Sequence, residues 1–196
     1  MKKETKNKRQ LQAEQTKNKL FFAADALLKE KSFLDITIRD IVAKANVSIG
    51  TFYHYYSTKM DVFYETYRVA DQYFSKTVKP QLNQPTAYER ILKFFEWYSY
   101  YTSELTSPEL IELLYNPNNK FFNRDPQGGM VGVLIEVLQD GLNSGELKGE
   151  DTAEQMAEYL MIAARGLVYN WCTAERNYNL TQAMQRFVTR LMKAYL

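Results

Sequence analysis

The chain has one cysteine, Cys172, and one histidine, His54, in 196 residues. A lone cysteine excludes an intrachain disulfide and fits a reducing compartment. A lone histidine excludes a metal site built on several imidazoles. Glycine and proline are sparse, at 8 and 5 residues, and no glycine-rich phosphate loop is present. No run of about 18 apolar residues could span a bilayer. The charged opening MKKETKNKRQLQAEQ is followed by none of the apolar residues of a secretory signal. Carboxylates are plentiful, but no pair stands at a spacing that marks an acid–base site. These absences point away from an enzyme. The expectation is a cytoplasmic protein with no cofactor, no metal and no membrane partner. Sustained strand-like alternation is also missing, so the expected class is all-α.

What is present is an ordinary globular composition, 45% apolar and 24% charged, with an uneven distribution of charge. Residues 1–60 carry 12 Lys/Arg against 6 Asp/Glu, a net +6, while residues 61–196 carry 13 against 17, a net −4. A basic first third on an acidic remainder suits an anionic partner for that third; a solvated basic tail is the plainer alternative. Residues 1–13 are polar and basic, expected as a flexible tail or a loose extension of the first helix. Lys2, Lys3, Lys6, Lys8 and Arg9 are read there as solvated, with added minor-groove or nonspecific affinity as the alternative. A first helix is expected from about Thr16, carrying Leu20, Ala24, Leu27 and Leu28 at helical spacing.

Three start signals follow. Thr37-Ile38-Arg39-Asp40 has the form of a capping box, opening a helix to about Lys44 with Ile38, Ile41, Val42 and Ala45 buried. Asn46 can take the left-handed conformation that ends it. Ser48 is the next N-cap, for a helix to Tyr55 anchored by Phe52. Thr58-Lys59-Met60-Asp61 repeats the capping pattern and opens a long helix towards Thr77. Pro80 and Pro85 break it, so the expected units are 14–74 and 75–196. Further helices are expected over 86–105, 107–115, 127–143, 151–176 and 181–195.

Two short helices joined at residues 45–47 meet the geometric requirement of a helix-turn-helix over 37–56. In that motif the first helix braces and the second enters the major groove. Gly50 inside so short a helix costs about 1 kcal/mol relative to Ala, which close approach to DNA explains better than stability does. Tyr53, His54 and Tyr55 can donate hydrogen bonds to phosphate oxygens.

The run from Thr37 to Phe63, TIRDIVAKANVSIGTFYHYYSTKMDVF, resembles the signature of the TetR family of bacterial repressors. The resemblance covers about residues 14–74. The spacing of Gly50, Tyr53, Tyr56 and Lys59 is its most diagnostic part, and Val42 and Tyr56 depart from it conservatively. It implies that Thr37 and Ser48 offer helix starts and hydroxyls to phosphates, a role compatible with capping. Arg39 and Thr51 then reach base edges or phosphates, Ile49 a thymine methyl, and Gly50 lies against the DNA. Tyr53, His54 and Tyr55 hold the backbone, and Lys59 pairs with a phosphate. With Ile49 and Gly50 central, Arg39 and Thr51 are the main candidates for base readout, and DNA shape is expected to carry much of the specificity.

For residues 75–196 the resemblance implies dimerisation and ligand binding. The expected dimer surface lies on the last two helices, at Leu160, Ala163, Ala164, Leu167, Phe187 and Leu191, with an intramolecular core as the competing reading. The expected pocket draws on Trp97, Tyr98, Tyr101, Phe122 and Tyr169, with Arg165 and Asn170 as polar anchors; aromatics at helical spacing are more often core than pocket. The function implied is a homodimeric regulator, most simply a repressor, on a palindromic double-stranded operator, released by a small apolar or aromatic ligand. A DNA-binding regulator controlled by a protein partner is the alternative.

Overall fold

The computed structural model describes residues 8–115 and 128–196, and every regular element among them is helical. The chain divides into two compact units, Met1–Arg68 and Val69–Leu196.

The first unit is built on α1 (Lys8–Leu28), α2 (Ile38–Ala45), α3 (Ile49–Tyr55) and α4 (Lys59–Phe63), and α5 (Glu65–Tyr73) begins within it. Leu20, Ala24, Leu27 and Leu28 form one buried stripe on α1. They meet Ile36, Ile41, Val42, Ala45, Phe52, Val62 and Phe63 in the core; Ile38 is only half-buried. Phe52 is fully buried, and losing such a ring costs about 3–5 kcal/mol.

Two sequence expectations need correction here. The first helix begins at Lys8, not near Thr16, so residues 8–13 of the expected tail are helical. The long helix expected from Thr58 to Thr77 is interrupted: α4 ends at Phe63, α5 follows after Tyr64, and Phe74–Val78 is wound as π-helix. Arg68, near the start of α5, pairs with Glu65 and Glu14 and donates to Asn18. That clasp ties α5 to α1 as far as Arg68.

The second unit contains the π-helical Phe74–Val78, α6 (Ala87–Tyr100), α7 (Pro108–Leu114), α8 (Gly129–Ser144), α9 (Ala153–Thr173) and α10 (Leu180–Met192). α6 packs on α8 and α10, and α9 on α8 and α10. Thr86–Glu89 and Thr152–Gln155 form capping boxes, and Ser107 caps α7 with Pro108 in its first turn. α6 runs on through a π-helical Tyr101–Leu105. Gly141 permits close packing, since a Cβ there would stand 2.7 Å from the Ala87 Cβ and a Leu147 methyl. Ile91, Phe94, Leu134, Leu138, Met156 and Met184 are central to the core.

Leu160 and Ala164, expected on the dimer surface, belong to this same core and are 1% and 0% exposed. They lie on the side of α9 roughly opposite its outer face. That face carries Tyr159, Ile162, Gly166 and Tyr169 instead, all exposed. Ala163, Leu167, Phe187 and Leu191 are half-buried.

Candidate nucleic-acid interface

α2 starts on a reciprocal cap. The Asp40 N–H donates to Thr37 Oγ1 at 3.2 Å, and the Thr37 N–H donates to Asp40 Oδ2 at 2.8 Å. Lys31 adds an ion pair to the same carboxylate at 2.7 Å. Lys31 first, and then Thr37, hold the Asp40 carboxyl well below the usual carboxylate range. The helix stops at Asn46, whose φ of 53° and ψ of 52° are left-handed. Asn tolerates that conformation better than most residues, and it turns the chain directly into the next helix start. Ser48 then caps α3, accepting the Thr51 N–H at 3.0 Å and sharing a 2.8 Å hydrogen bond with the Thr51 hydroxyl.

α3 has an inner and an outer face. Phe52 and, just beyond the helix, Tyr56 face the core. Burial, and next the Glu65 carboxylate, raise the pKa of the Tyr56 phenol far above its ordinary value. Thr37, Arg39, Ser48, Ile49, Gly50, Tyr53 and His54 are exposed, while Thr51 and Tyr55 are half-buried at the edge. The nine residues are thus presented by the start of α2 and by α3. Ile49 and Tyr53 are 46% and 57% exposed on this face. Gly50 has no internal reason to be glycine. A Cβ there would meet nothing nearer than Ser48 Oγ at 3.7 Å, and its φ is not positive.

Lys59 is placed differently from its expected role as a phosphate clamp. Its Nζ donates to the carbonyls of Phe33 at 2.6 Å, Ile36 at 2.8 Å and Leu34 at 3.3 Å, and it lies 4.3 Å from the Phe33 ring centre. An ammonium has three donors, so all are engaged. Lys59 braces the loop that delivers Thr37. The carbonyls of an irregular loop give no sequence signal, so this role was not legible beforehand. Lys31 and the first turns of α1 were likewise missed.

In the second unit the expected pocket residues separate. Trp97 and Tyr101 gather around Tyr73, with ring centres 6.3 and 5.1 Å from it. The Trp97 Nε1 is buried with no acceptor among the described residues. The buried Tyr98 hydroxyl pairs with that of Tyr115 at 3.0 Å; burial raises its pKa, against the opposing effects of that hydrogen bond and of the Arg165 charge. Tyr169 and Asn170 are exposed, apart from the Tyr73 group, and the Asn170 Oδ1 accepts from the Tyr178 hydroxyl. Phe122 lies outside the described residues. No group of three or more potential metal ligands occurs among the described residues, and no helix there is long and apolar enough to cross a membrane.

A capped supporting helix, a left-handed turn and a short second helix with an open outer face define a helix-turn-helix protein. Residues 20–66, about a quarter of the chain, match the family described as bacterial regulatory proteins, tetR family. An uncharacterized HTH-type transcriptional regulator of Mycobacterium bovis is 40% identical over 63 residues, and the same figures hold for one of Mycobacterium tuberculosis. The match takes in 32% of this chain and spans only 28% of the length of each of those relatives. Similarity of fold extends over most of the chain. FadR of Bacillus subtilis, solved with stearoyl-CoA, has a TM-score of 0.71 at 18% identity, covering 89% of this chain and 97% of its own. FadR of Thermus thermophilus, solved with lauroyl-CoA, has a TM-score of 0.69 at 20% identity, covering 90% and 92%. NalD of Pseudomonas aeruginosa, a repressor of an efflux pump, has a TM-score of 0.58 at 18% identity, covering 94% and 98%.

Proposed function

We propose that this chain is a DNA-binding transcriptional repressor that binds a palindromic operator as a homodimer and is released by a small apolar or aromatic ligand. The observation that carries the reading is Gly50. A helix-weakening residue sits at the second position of a 7-residue helix, where a Cβ would touch nothing nearer than Ser48 Oγ at 3.7 Å. Space of that kind is useful when the helix backbone must approach another surface closely. The residues around it offer hydroxyls, a guanidinium and phenols to phosphates, and Ile49 offers an apolar contact to a thymine methyl. Arg39 and Thr51 read bases in this scheme, and Lys59 acts through the loop it braces.

Dimerisation is assigned to the outer line of α9, Tyr159, Ile162, Gly166 and Tyr169, with the part-exposed Phe187 and Leu191 of α10 beside it. Two copies would set two reading helices on successive half-sites about one helical turn apart. Ligand binding is assigned to the aromatic group of Tyr73, Trp97 and Tyr101, where the Trp97 N–H lacks an acceptor. This group adjoins both π-helical segments, a feature frequent at functional sites. The two FadR structures make long-chain acyl-CoA the first ligand to try. A ligand that favours a different spacing of the reading helices shifts the population away from the DNA-bound form.

The test is selection of duplex DNA from a random-sequence pool, then titration of the selected duplex. The wild-type chain should enrich a palindrome, and Arg39→Ala with Tyr53→Ala should lower affinity by tenfold or more. Equal affinity of the double variant would refute the assignment of α3. Addition of stearoyl-CoA should release the DNA and quench Trp97 fluorescence, a signal lost in Trp97→Phe; if no acyl-CoA does either, that ligand class is wrong.

A further inference from the structure

The first twelve residues of α1 serve no core. The earliest buried residue of the helix is Leu20, so Lys8–Lys19 extends roughly 18 Å ahead of it. One face of this extension is clasped: Glu14, Lys17 and Asn18 bind Arg68 and Glu65. Another face carries Arg9, Gln12, Ala13 and Thr16, the i, i+3, i+4, i+7 positions of a single helical stripe. That stripe is one wall of an open groove of about 750 Å³. The other wall is α3 itself, from Ser48 and Gly50 to His54 and Tyr55.

The chemistry of the groove is one-sided. Its lining holds a guanidinium, an amide, hydroxyls and an imidazole, and no carboxylate. The Ser48 and Thr51 hydroxyls share one hydrogen bond, so one of their two protons remains to point elsewhere. A groove of donors with a cation at its rim matches a phosphodiester chain.

We propose that the sugar–phosphate backbone flanking the bases read by α3 runs through this groove, held by Arg9 with Gln12 from the α1 side. The proposal rests on α3 being the reading helix. It makes α1 the outer jaw of the DNA clamp and gives its extension a purpose that the core does not. The Arg68–Glu65 clasp on the opposite side keeps that jaw in place.

The test uses the full chain and the duplex that the wild type selects from a random-sequence pool, extended by ten base pairs on either side. Arg9→Ala should weaken binding three- to tenfold at about 150 mM salt. It should reduce the slope of log K against log salt by about 1, with base preferences unchanged. Phosphate ethylation just outside each half-site should stop interfering in Arg9→Ala while ethylation inside it still interferes, and Arg9→Lys should keep the slope. An Arg9→Ala slope and ethylation pattern equal to wild type would overturn the proposal. So would a changed base preference at constant slope, since Arg9 would then be reading bases. A wild-type chain that selects no duplex would fail one step earlier, at the reading of α3.

Discussion

Gly50 and its neighbours show how single residues trade stability against recognition. In a helix glycine is worse than alanine by up to about 1 kcal/mol, and a Cβ at Gly50 would meet only Ser48 Oγ, in ordinary contact at 3.7 Å. Gly50→Ala should therefore raise the stability of the first unit by about 0.5–1 kcal/mol in urea unfolding. It should also weaken operator binding, because the added methyl stands between helix and DNA. A variant that is more stable and binds equally well would show that the glycine is not there for approach. The motif residues were legible because each rule acts locally: Thr37 and Asp40 cap each other across one turn, Asn46 turns left-handed, and Phe52 is the one large apolar side chain aimed inward. Lys59 was legible as a residue and not as a role. Its three acceptors come from a loop more than twenty positions away, and no local pattern encodes such a contact.

At the scale of elements, α1 and α5 are joined by charge as well as by packing. Glu65 is 9% exposed at its side chain and carries bonds from both Lys17 and Arg68. Burial opposes its ionisation, but Arg68 and then Lys17 outweigh that and hold its pKa below the ordinary value. Asp40 is lowered as well, by Lys31 and Thr37. Depressed carboxyl pKa values contribute stability above the unfolded-state values of about 4, and that stability is lost as pH falls through the folded values. The first unit should thus be at full strength from about pH 5 upward and weaken progressively below about pH 4 in thermal melts. Glu65→Gln should cost about 1–3 kcal/mol at pH 7 and flatten the acid limb. An unchanged acid limb in this variant would remove Glu65 from the account. This clasp also explains the misplaced start of α1. Residues 8–19 have no apolar stripe to announce a helix, and what orders them is Arg68, about fifty residues away. The segmentation near Tyr64 is similar, in that no glycine or proline marks it.

For the molecule as a whole, the two units differ in how much of their function the sequence exposes. The first unit's outer face can be read from a short motif, whereas assembly depends on which stripe of α9 is left over after the core is filled. Apolar residues occur on several sides of that helix, so the sequence alone does not separate Leu160 and Ala164, which fill the core, from Tyr159, Ile162 and Tyr169, which do not. Burial separates them onto roughly opposite sides of the helix. If the outer line joins two copies, Ile162→Glu with Tyr169→Glu should place two charges in an apolar interface and convert the dimer to a 23.0 kDa monomer. Light scattering after size-exclusion chromatography reads this directly. Because the second half-site contributes through effective concentration, operator affinity should fall by about 100-fold or more, while the salt slope per half-site stays that of an intact reading unit. Leu160→Ala should behave in the opposite way: it opens a core cavity and costs about 2–5 kcal/mol of stability, yet leaves the folded fraction dimeric. A double-charge variant that remains dimeric would move the interface off α9.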